Sequence, residues 1–479
     1  MVIIEIIEII VIKEDQRMIV SKTLPLSKAC FSLLVVLAGV LFAPAQCLAT
    51  TYTVDPSAPA TAANFQSLSA LLAALTLHGG DVVKIKSGVV YRDRIKFTSR
   101  HSGAPGIPVM IESDGPDRAV WDGSTTDVNQ YGYLWQFDET SHDIEVRRIE
   151  VRNVQPGPDR NNRGVYVRGV NITVRECYVH HNPNGITSGL PAGNTVIESC
   201  EVAFNGLGDG YTHNFYMQAT GTHIRYNYIH DANGGINYKD RSLADATGVA
   251  VEFSYNWVES APGAYELDFS SNSAAGQSAQ DAYLVGNIIL KSAAAANYVI
   301  VVFGNDGRRG TLRLSNNTII AGNELTRMML LSGGNPAEFD NNIYDGSTRL
   351  FASGSNTTVS GMNNWLMTGT TVAGLANSIF GSDPGFIDRV NRDYHLQSKS
   401  AAVSAGSAAL APLLIPGREF AGRGSVITRT DAGRTIGAFA ATSTIPVTPL
   451  PPRLPPRDPK AVPSLPIRRT GPRKVVVIR

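Results

Sequence analysis

The fold is decided by two stretches of the chain, ITVRECYV at Ile172–Val179 and TVIESCEV at Thr195–Val202. Each stretch alternates apolar and polar residues, reaches a cysteine and then becomes apolar again. The same sequence pattern occurs five more times with asparagine in place of the cysteine, at His223–Ile229, Val251–Val258, Ala282–Ile289, Leu312–Ile320 and Ala337–Tyr344. This period of two residues, the many Val, Ile and Tyr residues and the lack of proline predict β-strands.

The spacing of these strands predicts a solenoid. Steps of 23, 27, 29, 31, 30 and 25 residues separate the marker residues Cys177, Cys200, Asn227, Asn256, Asn287, Asn317 and Asn342. Coils of this length, built from short strands and tight turns, are typical of the parallel β-helix. We therefore predict an all-β fold, a right-handed parallel β-helix. The marker asparagines are expected at turns, where each amide can hydrogen-bond the asparagine one coil away.

Two of the marker positions carry cysteine instead of asparagine. Because Cys177 and Cys200 lie at equivalent places in adjacent coils, their side chains are expected to be neighbours. Simple stacking of the two thiols and a disulfide in an oxidising compartment both fit this arrangement.

The chain divides into three segments. Residues 1–49 are predicted to be an N-terminal extension with a signal peptide, because Ala29–Phe42 is almost wholly apolar and small residues suited to cleavage follow it. Residues 50–441 form the predicted β-helix domain. Within it, Asn64–Leu77 has apolar residues at helical spacing, which predicts a helix that caps the N-terminal end of the solenoid. Residues 442–479 are rich in proline and basic residues and are predicted to be a disordered tail.

Both ends of the predicted domain resemble known proteins. The opening segment Asn64–Ile95 joins the predicted helix to GDVVKIKSG and a Tyr-Arg pair. It resembles the start of exported β-helix polysaccharide lyases of the chondroitinase B and alginate lyase type. The closing segment DPGFIDRVNRDYHL, within Asp383–Gly406, is similar to the end of the same superfamily, and we expect it to close the C-terminal end. The resemblance implies the fold and a polysaccharide substrate, and it does not identify the polymer.

Charge and targeting limit the partners. The 42 basic and 41 acidic side chains nearly cancel, so no general basic field for nucleic acid is implied. A cleaved signal peptide predicts a secreted or periplasmic protein, or one at the cell surface, where the basic tail can add contact by charge. We expect a monomer whose partner is an anionic polysaccharide.

The strongest group of chemically active residues lies on three consecutive coils, in the segments His213–Gln218, Ile236–Arg241 and Tyr265–Ser270. Side chains alternate across a strand, and parallel strands lie about 4.8 Å apart. Placing the apolar residues inward therefore predicts two outward rows of neighbours. One row consists of Tyr216, Lys239 and Asp268, and the row beside it consists of Asn214, Asn237 and Glu266. The Gly208–Gly210 turn is expected to aim Asp209 and His213 at the same flank.

These residues suit β-elimination on a uronic-acid polymer, a reaction that removes the C5 proton next to a carboxylate. The resemblance implies a lysine base with an arginine partner, and Lys239 and Arg241 match that pattern. The like charge of Arg241 gives the pKa of Lys239 a reason to fall. The guanidinium of Arg241 can bind the substrate carboxylate in fork geometry. Tyr216 or His213 can protonate the leaving oxygen.

The remaining polar residues of the three coils are assigned to binding. The predicted substrate contacts are Asn214, Asn237, Asp209 and Asp240. Glu266 and Asp268 are predicted to hold a Ca²⁺ ion that draws charge from the substrate carboxylate. In lyases of this kind the acidic ligands precede the coil of the lysine, whereas in this chain the acidic strand follows it.

Other interpretations of the same residues stay open. The outward charges can be an ordinary salt-bridge network, which would raise the pKa of Lys239 and work against a base. A glycoside hydrolase would use two of the carboxylates Asp209, Asp240, Glu266 and Asp268. A non-catalytic glycan-binding protein or adhesin would bind sugar rings on the aromatic residues Tyr211, Tyr216 and Trp257. A C5-epimerase would share the first step of the lyase.

Overall fold

The computed structural model describes residues 49–441 apart from nine short segments, 127–131, 158–161, 260–264, 271–279, 292–297, 303–309, 332–333, 353–356 and 423–424. In a separate N-terminal unit it describes only the strands Ile12–Lys13 and Gln16–Arg17, which pair antiparallel. The predicted signal peptide and the predicted tail lie outside the described residues. Within the described part, no helix has the length and apolar character needed to cross a membrane.

Between residues 49 and 381 the chain winds into coils that together build three parallel sheets. Counted over the described residues, sheet A has nine strands, sheet B has fourteen and sheet C has twelve. Each strand pairs in parallel with the equivalent strand of the neighbouring coil, as Tyr216 with Lys239 in sheet A and Glu198 with Arg225 in sheet B. The predicted parallel β-helix is therefore confirmed.

The strands follow one another along each sheet in chain order, except at the N-terminal end of sheet B. Sheet A contains Ile95–Phe97, Tyr133–Phe137, Arg163–Val167, Asn184–Ser188, Phe215–Met217, Tyr238–Asp240, Leu267–Asp268, Tyr298–Val302 and Arg327–Leu331. Sheet B contains Thr51–Val54, Asn64–Phe65, Val82–Ile85, Val109–Ser113, His142–Arg147, Val170–Arg175, Gly193–Glu198, Thr220–Arg225, Val249–Ser254, Asp281–Val285, Leu312–Ser315, Ala337–Asp340, Val359–Met362 and Leu375–Ala376. Sheet C contains Val90–Tyr91, Ala119–Asp122, Ile149–Arg152, Tyr178–His180, Glu201–Ala203, Tyr228–His230, Trp257–Glu259, Ile288–Lys291, Thr318–Ala321, Ile343–Asp345, Trp365–Met367 and Ile379–Gly381.

The interior of the coils is filled by columns of apolar side chains. In sheet C one such column consists of Val151, Val179, Val202, Ile229 and Val258, all buried and in register. Burying each of these side chains contributes about 1.5–3 kcal/mol before the entropy of folding is counted. The long axis of the solenoid is therefore held by the same interaction repeated coil after coil.

The marker residues stack at the corner between sheets B and C. The amide of Asn227 donates to the Oδ1 of Asn256 at 3.0 Å, and the contact repeats along Asn256, Asn287, Asn317, Asn342 and Asn364. At the start of the ladder the backbone N–H of Cys177 donates to the Sγ of Cys200, and both thiols are free and buried. The predicted coil-to-coil stacking is confirmed, and the cysteines continue the ladder as thiols.

The predicted N-terminal cap is shorter than expected. The helix spans Leu68–Ala74, and Ser67 caps it by accepting a hydrogen bond from the N–H of Ala70. Asn64–Phe65 instead forms a short strand beside Thr51–Val54 in sheet B. Sheet pairing therefore outweighs the helical spacing at the first residues of this segment.

The closing segment lies beside the solenoid instead of across its end. Phe386–Asp388 and Asp393–Leu396 form an antiparallel hairpin, whose Tyr394 packs against Trp257 of sheet C at a ring distance of 5.6 Å. A second hairpin, Arg418–Gly422 with Ser425–Thr428, adds Phe420 to the same apolar cluster. The expectation that this segment closes the C-terminal end is wrong, because the outer face of sheet C is itself apolar there and takes up the segment. The remaining short helices are the 3-10 turns Ser99–His101 and Pro412–Leu414.

Candidate functional site

The outer face of sheet A carries the predicted catalytic row. Tyr216 pairs in register with Lys239, and Lys239 pairs with Asp268. The residues that flank Lys239 in its strand, Tyr238 and Asp240, are both buried, whereas Lys239 is partly exposed. The predicted row of three neighbours and the outward direction of Lys239 are therefore found in the structure.

The amino group of Lys239 has no carboxylate partner among the described residues. Its Nζ lies 5.4 Å from the centroid of the Tyr216 ring, a cation–π distance. Burial lowers the pKa of Lys239, the positive charge of Arg241 lowers it further, and Asp268 opposes both effects. A salt-bridge network around this lysine would have raised its pKa, so that interpretation does not fit the geometry.

Asp268 is paired with Arg241 instead. The guanidinium of Arg241 donates from Nη1 to Oδ1 of Asp268 at 3.2 Å and from Nη2 to Oδ2 at 3.1 Å. Its Nη1 also donates to the carbonyl of Asp240 at 2.7 Å. The side chain of Arg241 keeps only 13% of its surface exposed. The predicted fork for a substrate carboxylate is therefore occupied by an internal carboxylate.

The row predicted beside Lys239 is buried, which corrects the assignment of Asn214 and Asn237 to substrate binding. Asn214, Asn237 and Glu266 each have no exposed surface. Asn214 donates from Nδ2 to the carbonyl of His230, and Asn237 donates to the carbonyl of Glu259, both at 2.8 Å. The amides bond the ends of sheet C strands in the following coil, so they close the corner between sheets C and A.

These three residues belong to a second polar ladder. The amide of Asn205 donates to Asn214, Asn214 donates to Asn237, and Asn237 donates to Oε2 of Glu266 at 2.7 Å. Buried Lys291 continues the ladder, with its Nζ 3.3 Å from Oε1 of Glu266. Buried polar groups of this kind are satisfied by one another and stabilise the coil stack.

The predicted calcium ligands do not fit a metal ion. Both oxygens of Glu266 are engaged by Asn237 and Lys291, and both oxygens of Asp268 are engaged by Arg241. Oδ1 of Asp268 also accepts from the N–H of Ser270 at 2.8 Å. A Ca²⁺ ion needs several free oxygen ligands, and these carboxylates offer none. No cluster of three or more His, Cys, Asp or Glu residues suited to a metal exists in the part of the chain that the structure describes.

His213 lies at the predicted flank but is buried. Its Nδ1 accepts a hydrogen bond from the N–H of Ile236 at 3.2 Å, which places the ring proton of the neutral imidazole on Nε2. Burial, together with the nearby Lys239 ammonium, lowers the pKa of His213 to about 3. A neutral imidazole of this kind is a poor acid near neutral pH, so the predicted role of His213 as proton donor is not supported.

The last two predicted binding residues, Asp209 and Asp240, accept hydrogen bonds from backbone N–H groups. Asp209 accepts from the N–H groups of Tyr211 and Thr212 at 2.9 and 3.1 Å and shapes its own loop. Asp240 is fully buried and accepts from the N–H of Ser242 at 3.0 Å. Tyr211, on the loop that Asp209 shapes, is 82% exposed and is free to stack on a sugar ring. Trp257 has no exposed surface, which excludes it as a sugar platform.

Comparison with known proteins agrees with the coil architecture. The family model described as "Right handed beta helix region" matches residues 126–289, which include the three coils of the site. The protein is a right-handed parallel β-helix. Pectate lyase Pel9A has a similar structure, with a TM-score of 0.53 and 17% identity over 82% of this chain and 96% of that one. No curated protein matches the sequence.

Two further β-helix structures are more distant. A rhamnogalacturonan lyase aligns with a TM-score of 0.46 and 14% identity, over 71% of this chain and 91% of that one. A pectin methylesterase in complex with a hexasaccharide aligns with a TM-score of 0.35 and 10% identity, over 69% and 94%. These two alignments carry no argument about this protein, and its activity must be argued from the site.

The outer face of sheet A also carries polar and aromatic residues beyond the three coils of the predicted site. The outward row of sheet A continues from Tyr216 through Thr187 to Tyr166 and Gln136. Arg163, in the same strand as Tyr166, lies with its guanidinium carbon 4.5 Å from the centroid of the Tyr166 ring. The segment RGVYVR could have been found by carrying the strand alignment two coils toward the N-terminus.

Proposed function

We propose that this protein is a polysaccharide lyase that cleaves an acidic, uronic-acid-containing polymer by β-elimination, with Lys239 as the base. The observation that supports this most directly is the environment of the Lys239 amino group. It lies on an outer sheet face, it forms no ion pair with a described residue, and burial and a neighbouring cation lower its pKa. An amine of this kind costs stability as a structural residue and is suited to accept a proton.

The reaction follows from the neutral form of the amine. Lys239 takes the C5 proton of the sugar, the C–H electron pair forms the C4–C5 double bond, and the bond between C4 and the glycosidic oxygen breaks. The proton remains on Lys239, and the leaving oxygen must gain another. The lowered pKa of Lys239 increases the neutral fraction available at a given pH.

Tyr216 is the proposed proton donor to the leaving oxygen. Its hydroxyl accepts a hydrogen bond from Nε2 of Gln218 at 3.2 Å, so its own proton can be donated to another acceptor. Because Tyr216 and Lys239 are register neighbours, both can reach the same sugar unit. Of the two proton donors predicted from the sequence, Tyr216 and His213, the proposal therefore keeps Tyr216.

Arg241 acts as a positioning residue in this proposal. Its pairing with Asp268 holds a positive charge beside Lys239 and keeps Asp268 from binding the lysine. If Asp268 bound Lys239 instead, the pKa of the lysine would rise and the base would be lost at neutral pH. After burial, the positive charge of Arg241 is therefore the second influence that lowers the pKa of Lys239.

Export and binding complete the proposal. The apolar run at Ala29–Phe42 supports secretion or a periplasmic location for an enzyme whose polymer lies outside the cytoplasm. The second candidate function is binding of a glycan without cleavage, and the exposed ring of Tyr211 favours it. Hydrolysis fits less well, because the carboxylates of Asp240, Glu266 and Asp268 are all buried.

The test is a screen of the purified full-length protein against acidic and neutral polysaccharides, each uronate polymer in free-acid and methyl-esterified form. Two signals are followed together: the ultraviolet absorbance of an unsaturated uronate and the formation of reducing ends. Absorbance that grows with reducing ends is the expected result. Addition of Ca²⁺ and of a chelator in parallel tests the calcium expectation.

Other results would contradict elimination in distinct ways. Reducing ends without absorbance would indicate hydrolysis. Retained binding of one polymer with neither signal would indicate a glycan-binding protein and leave Lys239 without a catalytic role. A requirement for Ca²⁺ would contradict the part of the proposal in which elimination proceeds without a metal ion.

A further inference from the structure

A second cationic position lies on the outer face of sheet A, toward the N-terminus from Lys239. Arg163 begins the strand Arg163–Val167, and its guanidinium stacks on the ring of Tyr166. The one hydrogen bond of Arg163 to a described residue runs from Nη1 to the carbonyl of Gly132 at 3.3 Å. Most of its five N–H donors therefore face no protein acceptor in the described residues.

Arg163 differs from several other arginines of the protein, which are paired with carboxylates. Arg152 donates to Asp122, Arg225 to Glu198 and Arg392 to Glu259, and these carboxylates raise the pKa of each arginine. No carboxylate of the described residues pairs with Arg163, and burial lowers its pKa. A desolvated cation without a counter-ion is costly unless an anion from outside completes it.

The Tyr166 ring fixes the direction of this cation. The ring reaches toward the next coil, where a Cβ built on Gly189 would come within 2.6 Å of the Tyr166 hydroxyl. Glycine at that position therefore gives the ring room to extend toward the neighbouring strand. A guanidinium stacked on an aromatic face keeps its N–H edges available, and these edges match the two oxygens of a carboxylate.

The position of Arg163 also suits one continuous polymer. Tyr166, Thr187, Tyr216 and Lys239 are consecutive register partners in sheet A. Three strand steps of about 4.8 Å place the Tyr166 position roughly 14 Å from the Lys239 position along the axis. A polysaccharide chain that lies along this face spans that distance with a few sugar units.

We propose that Arg163 and Tyr166 form a carboxylate subsite, which binds a uronate unit of the polymer a few sugars away from the unit that reacts at Lys239. This inference rests on the proposed function, since it assumes that the polymer lies along sheet A. The group recognised by the subsite is the uronate carboxylate. A negative charge at a distance from the cleavage point then contributes to substrate specificity.

The test measures binding separately from cleavage. Saturated uronate oligosaccharides of increasing length are titrated by calorimetry into full-length Lys239→Arg protein, which keeps the charge at position 239. We expect a rise in affinity at the length that reaches Arg163. Substitution Arg163→Ala in the same background should remove that rise and weaken long oligosaccharides roughly tenfold, the value of one charged hydrogen-bonded contact.

Arg168→Ala is the matched control. Arg168 follows the same strand, but it is paired with Glu139 at 3.0 Å. Its removal takes the same charge from the same face, so a general electrostatic attraction would be weakened equally. Methyl-esterified oligosaccharides, which lack the carboxylate charge, should show no rise even when Arg163 is present.

The outcomes separate this inference from the proposed function. The subsite is overturned if the rise in affinity with oligosaccharide length persists in Arg163→Ala, or if Arg168→Ala removes that rise to the same extent. Either result counts against the subsite whether or not the wild-type protein is a lyase. Loss of the rise in Arg163→Ala alone supports the subsite, even if the wild-type protein produces no unsaturated uronate and the lyase proposal fails. Failure of every uronate oligosaccharide to bind overturns both.

Discussion

The outer faces of sheets A and B carry charged residues in rows, but the charges are arranged differently. On sheet B, Arg175, Glu198 and Arg225 are consecutive register partners, and both arginines bind Glu198. On sheet A, Lys239 lies between Tyr216 and Asp268 in the same kind of row. Asp268 nevertheless binds Arg241 and leaves the amino group of Lys239 unpaired among the described residues.

The pKa shifts follow this difference. Glu198 raises the pKa of Arg225, as expected for a cation in a satisfied ladder. The pKa of Lys239 is lowered by burial and by Arg241. A row of charged side chains on a solenoid is therefore an ordinary stabilising feature. Lys239, the charged residue without an ion pair in its row, is the one that indicates a catalytic role.

The substitution Lys239→Arg should have the strongest effect on turnover. Arginine keeps the positive charge but does not lose its proton at accessible pH, so the base disappears. We expect kcat for unsaturated product to fall by roughly 10²–10⁴-fold. Arg225→Lys, the reverse exchange on sheet B, should leave turnover unchanged. Full turnover by Lys239→Arg would remove the functional difference between the two faces.

The free energy of unfolding should depend more on the charged row of sheet B than on Lys239 of sheet A, the reverse of the expectation for turnover. Glu198→Gln leaves Arg175 and Arg225 without their shared counter-charge, and we expect the free energy of unfolding to fall by about 1–3 kcal/mol. Lys239→Met removes a cation without an ion pair and keeps much of its packing, so stability should be unchanged or higher. Denaturant unfolding monitored by circular dichroism compares the two variants. Equal destabilisation would mean that Lys239 is a structural residue like Glu198.

A smaller effect is expected from Arg241→Ala, which should make sheet A more like sheet B. The substitution removes a like charge and frees Asp268 to bind Lys239, and both changes raise the pKa of Lys239. The neutral fraction of the amine at a given pH then falls. The rising limb of kcat/KM should therefore move to higher pH, by roughly one unit.

A pH profile of kcat/KM for wild type, Arg241→Ala and Arg168→Ala checks this shift. Arg168 lies on the same sheet but is paired with Glu139, so its removal should not move the limb. If the rising limb of the kcat/KM profile stays in place in Arg241→Ala, or moves to lower pH, then Arg241 does not lower the pKa of Lys239.

Much of the site could be predicted because it depends on strand geometry alone. The period of two residues places Tyr216, Lys239 and Asp268 outward, and repeat alignment places them in one row. The same reasoning did not predict burial, because Asp268 and the neighbouring row of Asn214, Asn237 and Glu266 have outward parity but are buried. Alternation tells which side of a strand a side chain leaves from, and it does not tell whether the next turn of the chain covers that side.

The architecture of the coils could be predicted from the amino-acid sequence alone. Repeat length, apolar alternation and the marker asparagines depend on interactions between equivalent positions in adjacent coils, so they can be read from spacing. The pairing of the charges could not be predicted in this way, because Asp268 has both Lys239 and Arg241 within reach and the choice between them depends on side-chain geometry in the folded chain. The tertiary structure also decided that the C-terminal hairpins cover sheet C, since two apolar surfaces distant in sequence meet only in the folded chain.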